Sequence, residues 1–123
     1  MTQPDPAAAF ITAVITLYIE MPDTPMRVSA SDQWLARHFY EDGVPLETVE
    51  TALLLGSLRR LIRPGDSPRL APIRSLAYFR PVIEELQENP APENYRDYLH
   101  LKLRMATQKP PADAQKNTLS NDR

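Results

Sequence analysis

The placement of proline constrains this chain more than any other feature. Thirteen prolines stand against three glycines in 123 residues, and they fall at Pro4 and Pro6, Pro22 and Pro25, Pro45, Pro64, Pro68 and Pro72, Pro81, Pro90 and Pro92, and Pro110 and Pro111. Proline lacks the backbone donor that helix interiors and inner strands need, so each cluster marks a start or an end of an element. The stretches left between clusters have the length of ordinary helices, and so few glycines cannot supply the turns of a β-sandwich. The chain therefore reads as all-α.

Asp5 followed by Pro6 is an N-cap with proline at the first helical position, which predicts a helix from Pro6 to about Glu20. Its only polar line is Thr12, Thr16 and Glu20, spaced by four, so other helices or a second copy of the chain must cover the rest. A homodimer through this first helix is one expectation. Ser31 and Asp32 are the next N-cap candidates, opening a helix of about ten residues that stops at Gly43. On it Trp34, Leu35, His38 and Phe39 share one face. Pro45 starts a third helix, Leu46 to about Ile62. Leu46, Val49, Leu53 and Gly56 lie on one side of it, and Leu54, Leu55, Leu58, Leu61 and Ile62 on the other. A helix that is apolar on two sides is a central one, and Gly56 would permit a close crossing.

Residues 63–72 form a loop without the alternation that a wing-like hairpin needs. Ile73, Leu76, Phe79, Val82, Ile83 and Leu86 then fit helical spacing, with a kink or a restart at Pro81. A fifth helix from Pro92 to about Ala106 carries Tyr95, Leu99 and Leu103. The expectation is one compact all-α domain over residues 1–108, with five helices, the third at the centre, and a disordered tail over 109–123.

Several chemistries lack their residues. The sequence has no cysteine, hence no disulfide, thiolate zinc site or cysteine nucleophile. His38 and His100 lie in different helices without metal-ligand spacing, and Asp97 with His100, three apart, reads as a solvated surface pair. Phosphate-cradling glycine loops and nucleophile-elbow patterns are missing. The reading is therefore non-enzymatic, with no metal and no cofactor. The apolar run Pro6 to Ile19 is shorter than the roughly 20 residues of a membrane span. The opening MTQPDP puts an acid and no Lys or Arg before that run, so no membrane or export segment is expected, and the cytoplasm is the expected compartment.

The net charge of -2 hides an uneven distribution. Met1 to Leu58 carries Arg27 and Arg37 against eight acids, whereas Arg59 to Arg80 carries six arginines against Asp66 alone. Guanidinium groups spread over a loop and two helix ends suit a phosphate backbone, since arginine forks two phosphate oxygens. Arg59, Arg60, Arg63, Arg69 and Arg74 are the candidate contacts. Two other readings stand beside this one: Arg59 and Arg60 complement the dipole of the helix they end, and all five could pair with acids of this chain or a partner in a helical interaction module without nucleic acid. Helix-turn-helix spacing is half met, since Val49 lies six after Gly43 but Ala36 lies seven before it. The third helix would then enter the groove, yet Glu47 and Glu50 at its start would repel phosphate. Contact is expected from the arginine end.

The string HFYEDGVPLETVETALLLGSLRR, followed by PIRSLAYFRPVIEEL, resembles a family of small bacterial proteins associated with replication or mobile-element genes. It is also loosely similar to the C-terminal domain of DnaD-type primosome, or helicase-loader, proteins. The matching residues are Gly43 and Val44, Val49 and Ala52, then Tyr78, Phe79, Val82 and Ile83. That resemblance implies a DNA-associated accessory role, with DNA or a replication or mobile-element protein as partner.

Overall fold

A computed structural model describes residues 5–108. Five α-helices run in chain order: α1 (Pro6–Glu20), α2 (Ala30–Glu41), α3 (Leu46–Leu61), α4 (Arg80–Glu88) and α5 (Tyr95–Gln108). A 3₁₀ turn, Leu76–Phe79, leads directly into α4, and there are no strands among the described residues. The expected tail, 109–123, lies outside the described residues.

The ends of the helices follow from local chemistry. The Asp5 carboxylate accepts a hydrogen bond from the Ala7 amide at 3.0 Å, and Pro6 occupies the first turn of α1. α2 begins earlier than the Ser31–Asp32 expectation. Ser29 is its N-cap, Ser29 Oγ accepts from the Asp32 amide, and Asp32 Oδ2 accepts from the Ser29 amide, both at 3.1 Å. This reciprocal box satisfies two amides that would otherwise be orphaned. α2 is closed off just past its end by Gly43 (φ +77°), whose amide donates to the Tyr40 carbonyl, and by the Val44 amide, which donates to the Phe39 carbonyl. Those two bonds make a Schellman motif, and the buried Val44 and Phe39 supply its apolar contact. α4 begins at Arg80, one residue before the restart expected at Pro81, and Pro81 falls in its first turn, where the missing donor costs nothing. α5 begins three residues later than Pro92, because the Pro92 carbonyl closes a turn on the Tyr95 amide.

α3 is the centre of the molecule. It packs against α1, α4, α5 and the 3₁₀ turn, while α2 packs on α1 and the 3₁₀ turn. Every residue from Thr51 to Leu58 is buried, so both apolar sides read from the sequence are gripped, as far as Leu58. Leu61 and Ile62, expected on the second side, are instead 43% and 65% exposed, at the last residue of α3 and its C-cap. At Gly56 a Cβ would stand 2.9 Å from the Phe79 ring, which gives the close crossing its physical reason. α1 is covered largely from within the chain. Its Val14 and Tyr18 are in the core, and Phe10, Ile11, Ile15 and Leu17 pack against it. On α2 the expected face splits: Leu35 and Phe39 are buried, whereas Trp34 is 63% exposed and stacks on His38. Among the described residues no helix is long and apolar enough to cross a membrane.

Candidate functional site: an arginine-lined cleft

The arginine stretch starts at the end of α3 and continues along the loop to the 3₁₀ turn. Arg59 forks the Glu85 carboxylate of α4 through both terminal nitrogens, at 2.9 and 2.7 Å. The hydrogen bond to Arg59 holds the Glu85 carboxyl below its ordinary range, and the same bond holds the guanidinium above its own.

Arg60 takes a different path. Its side chain is only 6% exposed, and it reaches three separate segments. Nη2 donates to Asp23 Oδ2 at 2.9 Å and to the Ala71 carbonyl at 2.8 Å, and Nη1 donates to the Tyr78 hydroxyl at 3.3 Å. The guanidinium also lies over the Tyr78 ring, 5.3 Å from its centroid. Burial works against its charge, but the hydrogen bonds to Tyr78 and Asp23 outweigh it and keep its pKa raised. Asp23 itself sits in the left-handed region (φ +68°), a conformation that aspartate tolerates. Its carbonyl accepts from the Ile73 amide at 3.0 Å, so side chain and backbone hold the same loop.

Arg63 Nη1 donates to the Pro68 carbonyl at 2.6 Å, which closes residues 63–68 into a small ring. Arg60, Arg63 and Arg69 then line one cleft of about 640 Å³, with Asp23, Leu61, Ser67, Leu70 and prolines 64, 68 and 72. Asp23 is the only acid in the lining, and Arg60 already pairs it. Arg69 and Arg74 are exposed and not ion-paired among the described residues. Of the five candidate contacts, three meet in this cleft. Arg59 turns away to α4, and Arg74 is exposed but outside the lining.

A second cleft of about 680 Å³ lies where the start of α3 meets the α4–α5 connection, with Glu47, Thr51, Glu93 and Arg96 among its lining residues. Beside it Glu50 accepts from His100 Nε2 at 2.7 Å and pairs with Arg96 Nε at 3.6 Å. The surface pair of His100 with Asp97 expected from sequence is therefore not formed. α5 turns His100 toward α3, and the residue that sequence reasoning missed is Glu50, fifty positions away with no local signal. Among the described residues no group of three or more His, Asp or Glu side chains could hold a metal ion.

The geometry also removes the helix-turn-helix expectation. The two helices of that motif pack on each other and free the second for the groove; here α2 packs elsewhere and α3 is buried along its middle. In comparison with known proteins, no family model, curated protein or solved structure matches this chain.

Proposed function

We propose that this chain is a non-enzymatic, DNA-associated accessory protein that binds the phosphate backbone through Arg63 and Arg69, with Arg74 alongside. The observation that carries the reading is the cleft in which three arginines meet one acid that is already neutralised. An uncompensated guanidinium pair on a proline-stiffened loop can fork phosphate oxygens without first breaking an ion pair. The roles within the arginine stretch divide accordingly. Arg59 and Arg60 hold the scaffold, and Arg63, Arg69 and Arg74 face the ligand. The resemblance of residues 34–86 to replication and mobile-element proteins supports the same class of partner, with the bacterial cytoplasm as the compartment.

Fluorescence anisotropy with labelled single- and double-stranded DNA tests this reading. Phosphate binding predicts affinity that falls steeply between about 50 mM and about 200 mM salt. The double variant Arg63→Gln/Arg69→Gln should weaken binding at low salt and flatten the salt slope by about two contacts. Arg37→Gln, which removes one charge at an exposed position of α2 away from the cleft, should change little. Absence of binding at low salt, or equal weakening by Arg37→Gln, overturns the assignment.

A further inference from the structure

The outer face of α5 carries an apolar stripe that the described chain leaves half open, with only Tyr95 stacked beside Tyr98 at 6.0 Å and Lys102 Nζ 5.7 Å from the Tyr98 ring centroid. Tyr98, Leu101 and Met105 are 51%, 49% and 55% exposed. Their spacing of three and four places them on one line of the helix, opposite the buried Leu99 and Leu103. Single exposed apolar residues are ordinary, but a continuous stripe of three on one helix marks a contact surface.

The charges beside the stripe identify what fits it. Asp97 and Arg104 lie on the same flank, two turns apart, and both are exposed and not ion-paired among the described residues. A two-fold axis between antiparallel helices brings each flank against the same flank of its mate, with N-terminal and C-terminal ends exchanged. Asp97 of one copy then faces Arg104 of the other, twice over, while the three apolar residues close on their counterparts. A parallel two-fold pair would instead set each flank against the opposite flank of its mate, and Asp97 would not meet Arg104. We infer that the α5 stripe is a self-complementary interface at which two copies of this chain associate antiparallel. This moves the dimer surface expected on α1, which is largely covered from within, to α5.

The experiment is sedimentation equilibrium of the full chain, without DNA, over a wide concentration range. The expected mass rises from that of one chain to that of two. Leu101→Asp should weaken association by at least about tenfold, as loss of a central contact does, while the helical circular dichroism stays unchanged. Asp97→Arg and Arg104→Asp should each weaken it, and the two together should restore it. That rescue is a result a merely apolar contact would not give. A single-chain mass at every concentration overturns the inference and leaves the stripe to residues 109–123 or to another protein. A dimer indifferent to Leu101→Asp, or charge swaps without rescue, overturns it as well. None of these results bears on the arginine cleft, which DNA binding tests separately.

Discussion

The phenol of Tyr18 is fully buried, and its hydroxyl has no hydrogen-bond partner. Its ring is well used, edge-on to Phe79 at 6.3 Å between centroids. Burial, with a further contribution from the Asp32 charge, pushes its pKa up to about 12. An unfolded tyrosine ionises near about 10, so between roughly pH 10 and 12 the unfolded chain gives up a proton that the native state keeps. Stability from this group is present below that window and is lost as pH rises through it. Tyr18→Phe removes the orphan hydroxyl and leaves the ring. Denaturant unfolding at neutral pH should show the variant equal to the parent or more stable by up to about 1 kcal/mol, and the alkaline loss should shrink. A cost above about 1 kcal/mol at neutral pH would mean that the hydroxyl is satisfied in solution.

At the scale of elements the critical point is the crossing of α3 over the 3₁₀ turn. Gly56 in a helix interior costs about 1 kcal/mol relative to alanine, so its presence asks for a reason, and Phe79 supplies one. A methyl at Gly56 would meet Phe79 Cδ1 and Cε1 at 2.9 Å and Val82 Cγ2 at 3.6 Å. Phe79 is fully buried and cannot swing away. Overpacking of this kind costs about 1–3 kcal/mol, enough to outweigh the propensity gain. Gly56→Ala should lower thermal stability, whereas Gly65→Ala, where a Cβ has nothing within 4 Å, should be neutral or slightly stabilising. The crossing was legible in the sequence because a lone glycine between apolar faces has few other uses. The ends of α1 and α2 at Asp5–Pro6 and Gly43 were legible for a related reason: a cap acts within one turn, so its partners are neighbours in sequence. The start of α2 was misread because Ser29, Ser31 and Asp32 all suit a cap, and tertiary contact decided among them. The Asp32 carboxylate also accepts from the Leu76 amide at 2.9 Å, forty-four positions away. The same limit hid the partners of His100 and Arg60, which lie in segments that sequence spacing does not connect.

Over the whole molecule, the arginine stretch holds together parts of the chain that no helix pair joins. Arg60 gathers the α1–α2 turn, the proline-rich loop and the 3₁₀ turn around one buried guanidinium. Truncating it removes several hydrogen bonds to a charge and leaves the Ala71 carbonyl without its donor, whereas Asp23, 58% exposed, can return to water. Arg60→Ala should therefore cost about 2–3 kcal/mol, part of it from lost packing of the aliphatic stem. Hydrogen exchange should locate the loss by faster exchange of the Ile73 amide, which donates to Asp23. Arg69→Gln, at an exposed side chain, should leave unfolding within about 0.5 kcal/mol of the parent and affect only DNA binding. Two neighbouring arginines of one basic stretch would thus fail in different assays. Equal loss of stability from both would mean that the loop is held by its charge as a whole, and the division into scaffold and ligand-facing arginines would not stand.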